Sequence, residues 1–241
     1  MAVMSVEARG PVRVVSLTRP AQMNALNADL TGQLIAAFTA LTDDTDARVV
    51  VLRAEGRAFC AGGDLKEGMP PEKVLAGDWP TARLVKAMRA CPQPIVALVQ
   101  GAAIGAGLAL ALAADIRLGG ESLALRVGTI GHGLHGSELG IAWWLQKSLP
   151  LSKARELMLT NRRLGAAEAL RLGLVSDVHP DADLDRHGLA LADEIAAASR
   201  NALRLSKRTF DVALGIGSLD AALESDERAQ SLLVAMRRAG V

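Results

Sequence analysis

Two glycine-rich segments hold the residues best suited to chemistry. One reads Arg57-Ala58-Phe59-Cys60-Ala61-Gly62-Gly63-Asp64-Leu65 and the other Gln100-Gly101-Ala102-Ala103-Ile104-Gly105-Ala106-Gly107. Each follows a short apolar run, residues 49–52 and 95–99, of the kind that forms a buried strand. Small residues after a strand leave backbone N–H groups bare and let a ligand approach closely. Two such loops can aim two N–H donors at one oxygen, an oxyanion hole suited to the charge that develops on a thioester carbonyl. A third glycine-rich stretch, residues 128–136, carries His132 and His135 and is followed by Glu138. Either histidine could act as acid or base near neutral pH, although a loop histidine is more often structural or solvated. No Cys/His/Asp cluster accompanies them, so no metal is expected. The spacing of Gly101, Gly105 and Gly107 does not fit the G-x-G-x-x-G of a dinucleotide fold.

The elements that must position these loops follow from the apolar pattern. Val12–Leu17 reads as a strand ended by Arg19-Pro20. Asn27 caps a helix to about residue 41, with Leu30, Leu34, Ile35 and Phe38 on one face. A strand over 49–53 feeds the first loop. Residues 68–79, rich in Pro and Gly, read as a mobile surface segment, and 81–90 as a helix. A strand over 95–99 feeds the second loop, and 105–113 is an apolar helix followed by a short strand. Ser137 is expected to cap a helix from Glu138 to 148, and Ser152 the next one. A short helix from Ala166 ends at Gly173, and 174–178 is extended. Helices over about 184–198, 201–214 and 219–238 complete the pattern. The chain thus divides into an alternating α/β part, 1–183, and an all-helical part, 184–241. The apolar faces of that second part must bury against the core, a neighbouring subunit, or both.

Bulk properties exclude several classes. At 241 residues, 50% hydrophobic and 22% charged, the chain is globular. A net charge of +1, with 2% aromatic residues and no Tyr, offers neither the field nor the stacking surfaces of a nucleic-acid binder. Residues 95–114 are the only apolar stretch of membrane length, and they read as a loop plus a buried helix. The first fifteen residues show no apolar core behind a basic head, so no signal peptide is expected. Cys60 and Cys91 are too few and too far apart for a disulfide framework, which points to reduced thiols in the cytoplasm.

Taken in order, several segments resemble the enoyl-CoA hydratase/isomerase (crotonase) superfamily. They are residues 17–26 (LTRPAQMNAL), 58–67 (AFCAGGDLKE), 94–97 (PIVA), 101–115, 156–161 (ELMLTN) and 166–178. The resemblance implies an α/β fold of the ClpP/crotonase type, a spiral of ββα units with a helical C-terminal region that builds trimers or dimers of trimers. It implies an acyl-CoA substrate and an enolate held by two backbone N–H groups. Coenzyme A arrives as part of the substrate, and no permanently bound cofactor is expected. Carried over position by position, the donors fall on Gly63 and Ala106, with the helix starting at Gly105 adding partial positive charge. Asn24, Ala25, Leu26, Ala61, Gly62, Asp64, Leu65 and Gly105 would flank the coenzyme, Asp64 as loop structure.

The chain departs from the hydratase pattern where water is activated. The first of the two glutamates expected there is replaced by Ala109, and residues 126–130 supply no second carboxylate. Glu138 aligns instead with a position where some isomerases and dehalogenases of the superfamily carry a catalytic carboxylate. Proton shuttling by Glu138, with help from His132 or His135, favours isomerisation over hydration. A specialised thioester hydrolase or decarboxylase, and a catalytically silent CoA-binding or assembly protein, are the alternatives. The C-terminal Ala235-Met236-Arg237-Arg238 stands where relatives carry a CoA clamp, as phosphate partners or a solvated helix end.

Overall fold

A computed structural model describes residues 2–64, 66–67, 79–133 and 135–239. Leu65 and most of the segment read as mobile, 68–78, lie outside them. The larger sheet contains β1 (Met4–Arg9), β2 (Val12–Leu17), β3 (Val49–Ala54), β4 (Ile95–Val99), β6 (Ile116–Gly120) and β9 (Asp177–His179), in that order. β1 and β2 form a hairpin, and every other neighbouring pair is parallel. The smaller sheet joins β5 (Ala102–Ile104), β7 (Ala124–Arg126) and β8 (Leu164–Gly165). The chain passes from β4 to β5 and from β6 to β7 across a few residues, so successive strands serve the two sheets in turn.

Helices α1 (Ala28–Ala40), α2 (Pro80–Ala90) and α3 (Ala106–Ala113) cover one face of the larger sheet. Side chains alternate across a strand, so Val50, Leu52, Ile95, Ala97 and Val99 point into this layer. Val12, Val14, Val49, Val51, Val96 and Leu98 point the other way, onto Leu184, Ala192 and Ala196 of α7 (Leu184–Ala196). In the chain, α4 (Ile141–Ser148), α5 (Leu151–Thr160) and α6 (Ala166–Arg171) come between α3 and α7. No residue of the last helices, α8 (Arg200–Ala213) and α9 (Leu219–Arg238), is fully buried; Leu203 packs on the α7 side of the sheet and the Lys207 side chain is 6% exposed, but Phe210 and Leu219 stand 70% and 74% exposed. The helical part therefore splits, with α7 on the sheet and apolar faces of α8 and α9 open. α8 is tethered to the core by charge: Asp115 accepts from Arg89 at 2.8 Å, Lys207 at 2.9 Å and the Ile95 N–H at 2.7 Å.

Three local expectations need correction. β1 is an edge strand exposed beyond Met4, so it lacks the apolar pattern that marks β2 and goes unread in the sequence. Ser137 caps no helix, and Glu138 is not in a first turn. Leu139 (φ 52°) and Gly140 (φ 81°) are both left-handed, so α4 cannot extend back past Ile141. Ser152 lies inside α5, which is capped by Pro150, whose carbonyl accepts from the Lys153 and Ala154 N–H groups.

Candidate active site

The two glycine-rich loops, far apart in sequence, are stitched side by side. Phe59 N–H donates to the Gln100 carbonyl at 2.8 Å, Cys60 N–H to Ala102 at 3.0 Å, and Ile104 N–H back to Cys60 at 3.0 Å. On its other flank the first loop is held by Leu26, whose N–H donates to the Gly62 carbonyl at 2.8 Å and whose carbonyl accepts from Asp64 N–H at 3.0 Å. Glycine is required at the seam. A Cβ on Gly107 would lie 2.0 Å from the Cys60 carbonyl oxygen. Gly62 has φ +101°, and a Cβ there would stand 2.8 Å from the Ile104 oxygen and 3.8 Å from the Ala106 nitrogen.

Among the described residues, the N–H groups of Gly63 and Ala106 donate to no backbone or side-chain acceptor. Among the described residues, nothing lies within 4 Å of a Cβ placed on Gly63. The Gly105 N–H is already used, donating to the Arg126 carbonyl at 3.1 Å. The Ala106 amide is thus the first free donor at the N-terminus of α3, where unsatisfied N–H groups and the aligned helix dipole favour negative charge.

Glu138 reaches the same corner. A Cβ on Gly105 would stand 3.9 Å from Glu138 Oε1, 3.6 Å from the Val127 oxygen and 4.0 Å from Thr129 Cγ2. The carboxyl is half-buried, and burial raises its pKa from the ordinary glutamate value, with the nearby His135 partly offsetting the rise. Such a group holds a proton more readily than a solvated glutamate does. His132 is exposed in a single 3-10 turn, Thr129–His132. His135 is exposed too, its carbonyl accepting from Thr129 Oγ1 at 3.0 Å and its Nδ1 from the Ser137 N–H at 3.3 Å. Ala109 is fully buried within α3.

The remaining candidates are mostly occupied by the fold. Asn24 is completely buried in a left-handed conformation. Its carboxamide accepts from Arg19 N–H and donates to the Glu55 and Ala58 carbonyls, and its complete burial keeps it out of a ligand's reach. The Ala25 carbonyl accepts from the Arg19 guanidinium. Asp64 pairs with Arg19 at 3.1 Å, and Ala61 N–H donates to Met23. What this flank offers is backbone, held in place by side chains. Sequence reasoning missed the Arg126 carbonyl that consumes the Gly105 amide, since a backbone acceptor leaves no mark in residue type.

Two cavities lie away from the paired loops. One, about 10 Å³ and lined by Leu108, Leu125, Val127, Leu145, Leu157 and Leu174 among others, is at the threshold for a single water. The other is an open groove of about 470 Å³ beside Glu121, Ala166, Glu168 and Leu170. Neither is lined by Gly63, Ala106 or Glu138. Among the described residues, no helix is long and apolar enough to cross a membrane, and no group of three His, Cys, Asp or Glu side chains is placed to hold a metal.

A family model described as enoyl-CoA hydratase/isomerase matches residues 7–239. A probable enoyl-CoA hydratase of Mycobacterium leprae is 37% identical over 231 residues, covering 92% of this chain and 79% of its own length. The crystal structure of a probable enoyl-CoA hydratase/isomerase from Mycobacterium abscessus is similar with a TM-score of 0.89 and 31% identity, over 99% of this chain and 97% of that one. A monofunctional enoyl-CoA isomerase from M. smegmatis has a TM-score of 0.80 and 35% identity, over 92% and 98% of the two chains.

Proposed function

The chain belongs to the enoyl-CoA hydratase/isomerase family, an enzyme of the crotonase fold acting on acyl-CoA, and from that premise we propose that it moves a double bond along the acyl chain by proton transfer through Glu138. The thioester oxygen sits between the Gly63 and Ala106 amides. Ionised Glu138 takes a proton from C2 of a 3-enoyl-CoA, and the electron pair moves into the carbonyl as a dienolate held by the two donors. The protonated carboxyl then returns the proton to C4, giving the 2-enoyl-CoA, with no atom gained or lost. Each donor contributes about 2.7–4 kcal/mol to such a step.

One juxtaposition carries the reading: Glu138 Oε1 stands beside Gly105, the residue preceding the free Ala106 amide. The raised pKa of Glu138 fits a group that must both accept and return a proton. Hydration on the two-glutamate plan is opposed by the buried Ala109. Coenzyme A enters with the substrate, and no resident cofactor is invoked. The open apolar faces of α8 and α9 support assembly as a trimer or a dimer of trimers, and the two free, buried thiols accord with a reducing cytoplasm.

The test is Glu138→Gln against a panel of 3-enoyl-CoA and 2-enoyl-CoA thioesters, followed by formation of the conjugated thioester. The expected result is a fall in kcat of about 10²–10⁴-fold, with KM little changed. Wild-type turnover by the variant would sink the acid–base role. A wild-type protein that binds the thioesters and converts none would make it a silent binder.

A further inference from the structure

The C-terminus of α5 is closed by Asn161, in the left-handed conformation at φ 52°. Glycine is the ordinary choice at such a position, because it adopts that conformation without strain. An asparagine that is only 7% exposed brings a polar group into the interior, which is tolerated only when that group is hydrogen-bonded. Ending the helix therefore does not explain the side chain, whereas its partners do. Asn161 Oδ1 accepts from the Gly128 N–H at 2.7 Å, and Nδ2 lies 3.4 Å from the Gly128 carbonyl. The Asn161 carbonyl accepts from Arg126 Nε at 2.8 Å.

These three contacts grip the point where the chain leaves β7 and starts toward Glu138. Arg126 meanwhile offers its own carbonyl to the Gly105 N–H at 3.1 Å. Asn161 thus fixes, through Arg126 and Gly128, both the corner that presents the Ala106 amide and the loop that presents the carboxyl. Among the described residues the other polar contacts of that loop are internal, such as those from Thr129 and Ser137 to His135 and from Gly131 N–H to the Gly128 carbonyl. They shape the loop, whereas the Asn161 contacts tie it to α5. The loop also runs close to the amide, since a Cβ on Gly131 would come within 2.6 Å of Asn161 Nδ2.

We propose that Asn161 is a positioning residue for the reaction, setting the separation between the Glu138 carboxyl and the Ala106 amide by clamping Gly128. The proposal rests on the Glu138 reading. It differs from a purely structural cap in what it governs: the placement of a base, not only the end of a helix.

The experiment compares Asn161→Gly, Asn161→Asp and Glu138→Gln, alone and with N161G and E138Q combined. N161G keeps the left-handed backbone and removes both bonds to Gly128. It is expected to lower kcat about 10–100-fold, the cost of a base displaced by about 1 Å, with KM within about threefold of wild type. The acidic limb of its kcat/KM profile moves to lower pH, as a loosened Glu138 regains water, with His132 and His135 the other titrating groups of the loop. N161D retains the acceptor for the Gly128 N–H and is expected to recover most of kcat. The double variant is expected to be no slower than E138Q alone. N161G with wild-type kcat and an unmoved limb, in an enzyme that E138Q disables, overturns the role of Asn161 and leaves Glu138 standing. If E138Q itself keeps full turnover, both fall. Should N161G fail to fold, a folded N161D with kcat depressed as far as E138Q overturns the proposal by itself.

Discussion

Replacing Gly107 by Ala should separate the two loops. The new Cβ would sit 2.0 Å from the Cys60 carbonyl oxygen, 2.8 Å from its carbon and 2.9 Å from the Cys60 Cβ. A carbon meets a carbonyl oxygen comfortably at about 3.3 Å, so Cys60 and the start of α3 must part by roughly 1.3 Å. Two of these atoms are backbone and the third is a Cβ fixed by the backbone, so no side-chain rotation relieves the clash. Overpacking of this kind costs about 1–3 kcal/mol. Strain on the 3.0 Å bond from Ile104 N–H to Cys60 adds about 1 kcal/mol. A total of roughly 2–4 kcal/mol lowers Tm by about 4–16 °C in a chain of this size. Catalysis should suffer separately. Gly63 lies three residues beyond Cys60, and Ala106 directly precedes Gly107, so the displacement falls between the two proposed donors. Loss of one donor lowers kcat about 10²–10³-fold. Steady-state turnover and thermal melting would be measured together, with Gly32→Ala as control. Gly32 lies on the exposed side of α1 with no described residue within 4 Å of an added Cβ, so that variant should gain up to about 1 kcal/mol and keep its kcat. A G107A enzyme that melts early yet turns over at the wild-type rate would refute the idea that loop spacing sets activity.

Other outcomes follow from groups outside the loops. Burial alone would raise the Asp115 pKa, but Lys207 and Arg89 outweigh it and hold the carboxyl below its ordinary value. Its stabilising contribution is therefore present above the unfolded carboxylate range and lost as pH falls through the lower folded value. Asp115→Asn should cost about 3 kcal/mol near neutrality, and the gap to wild type should close in acid; a gap that is flat with pH would refute the pairing. Glu138 has the opposite sign, since its raised folded pKa adds stability below the unfolded value that is lost as pH rises. E138Q should therefore melt higher than wild type near neutrality, with the advantage shrinking in acid, and a lower neutral Tm would contradict this. Burial pushes the Cys60 thiol up to about 12 and raises Cys91 as well. Neither should react with a disulfide reagent until the protein is unfolded, and a fast native reaction would show the packing to be wrong.

Much of the fold could be read from residue order. The apolar runs at 49–52 and 95–99 and the Asn27 cap mark their elements because each signal is local: an alternation, or a side chain reaching its own helix end. Asn27 indeed accepts from the Leu30 N–H at 3.0 Å. β1 escaped because its residues beyond Met4 are exposed on both faces, so no apolar alternation marks it. β5, β7 and β8 are two or three residues long, too short for any period to register. Ser137 and Ser152 were misleading because cap preference says where a helix can begin, and the left-handed backbone at Leu139 and the turn at Pro150 decided where each does.

The sequence by itself determined the family resemblance, the two loops of small residues and the absence of carboxylates at Ala109 and across 126–130. These are matters of residue type and order, and folding cannot alter them. Tertiary structure decided that Glu138 stands beside Gly105, that Arg126 spends the Gly105 amide and leaves the one at Ala106 free, and that Asn161 grips the loop between them. Those facts depend on distances between segments that only the packing of two sheets and their helices brings together, and backbone donors and acceptors, identical in every residue but proline, carry no signature until they find or miss a partner.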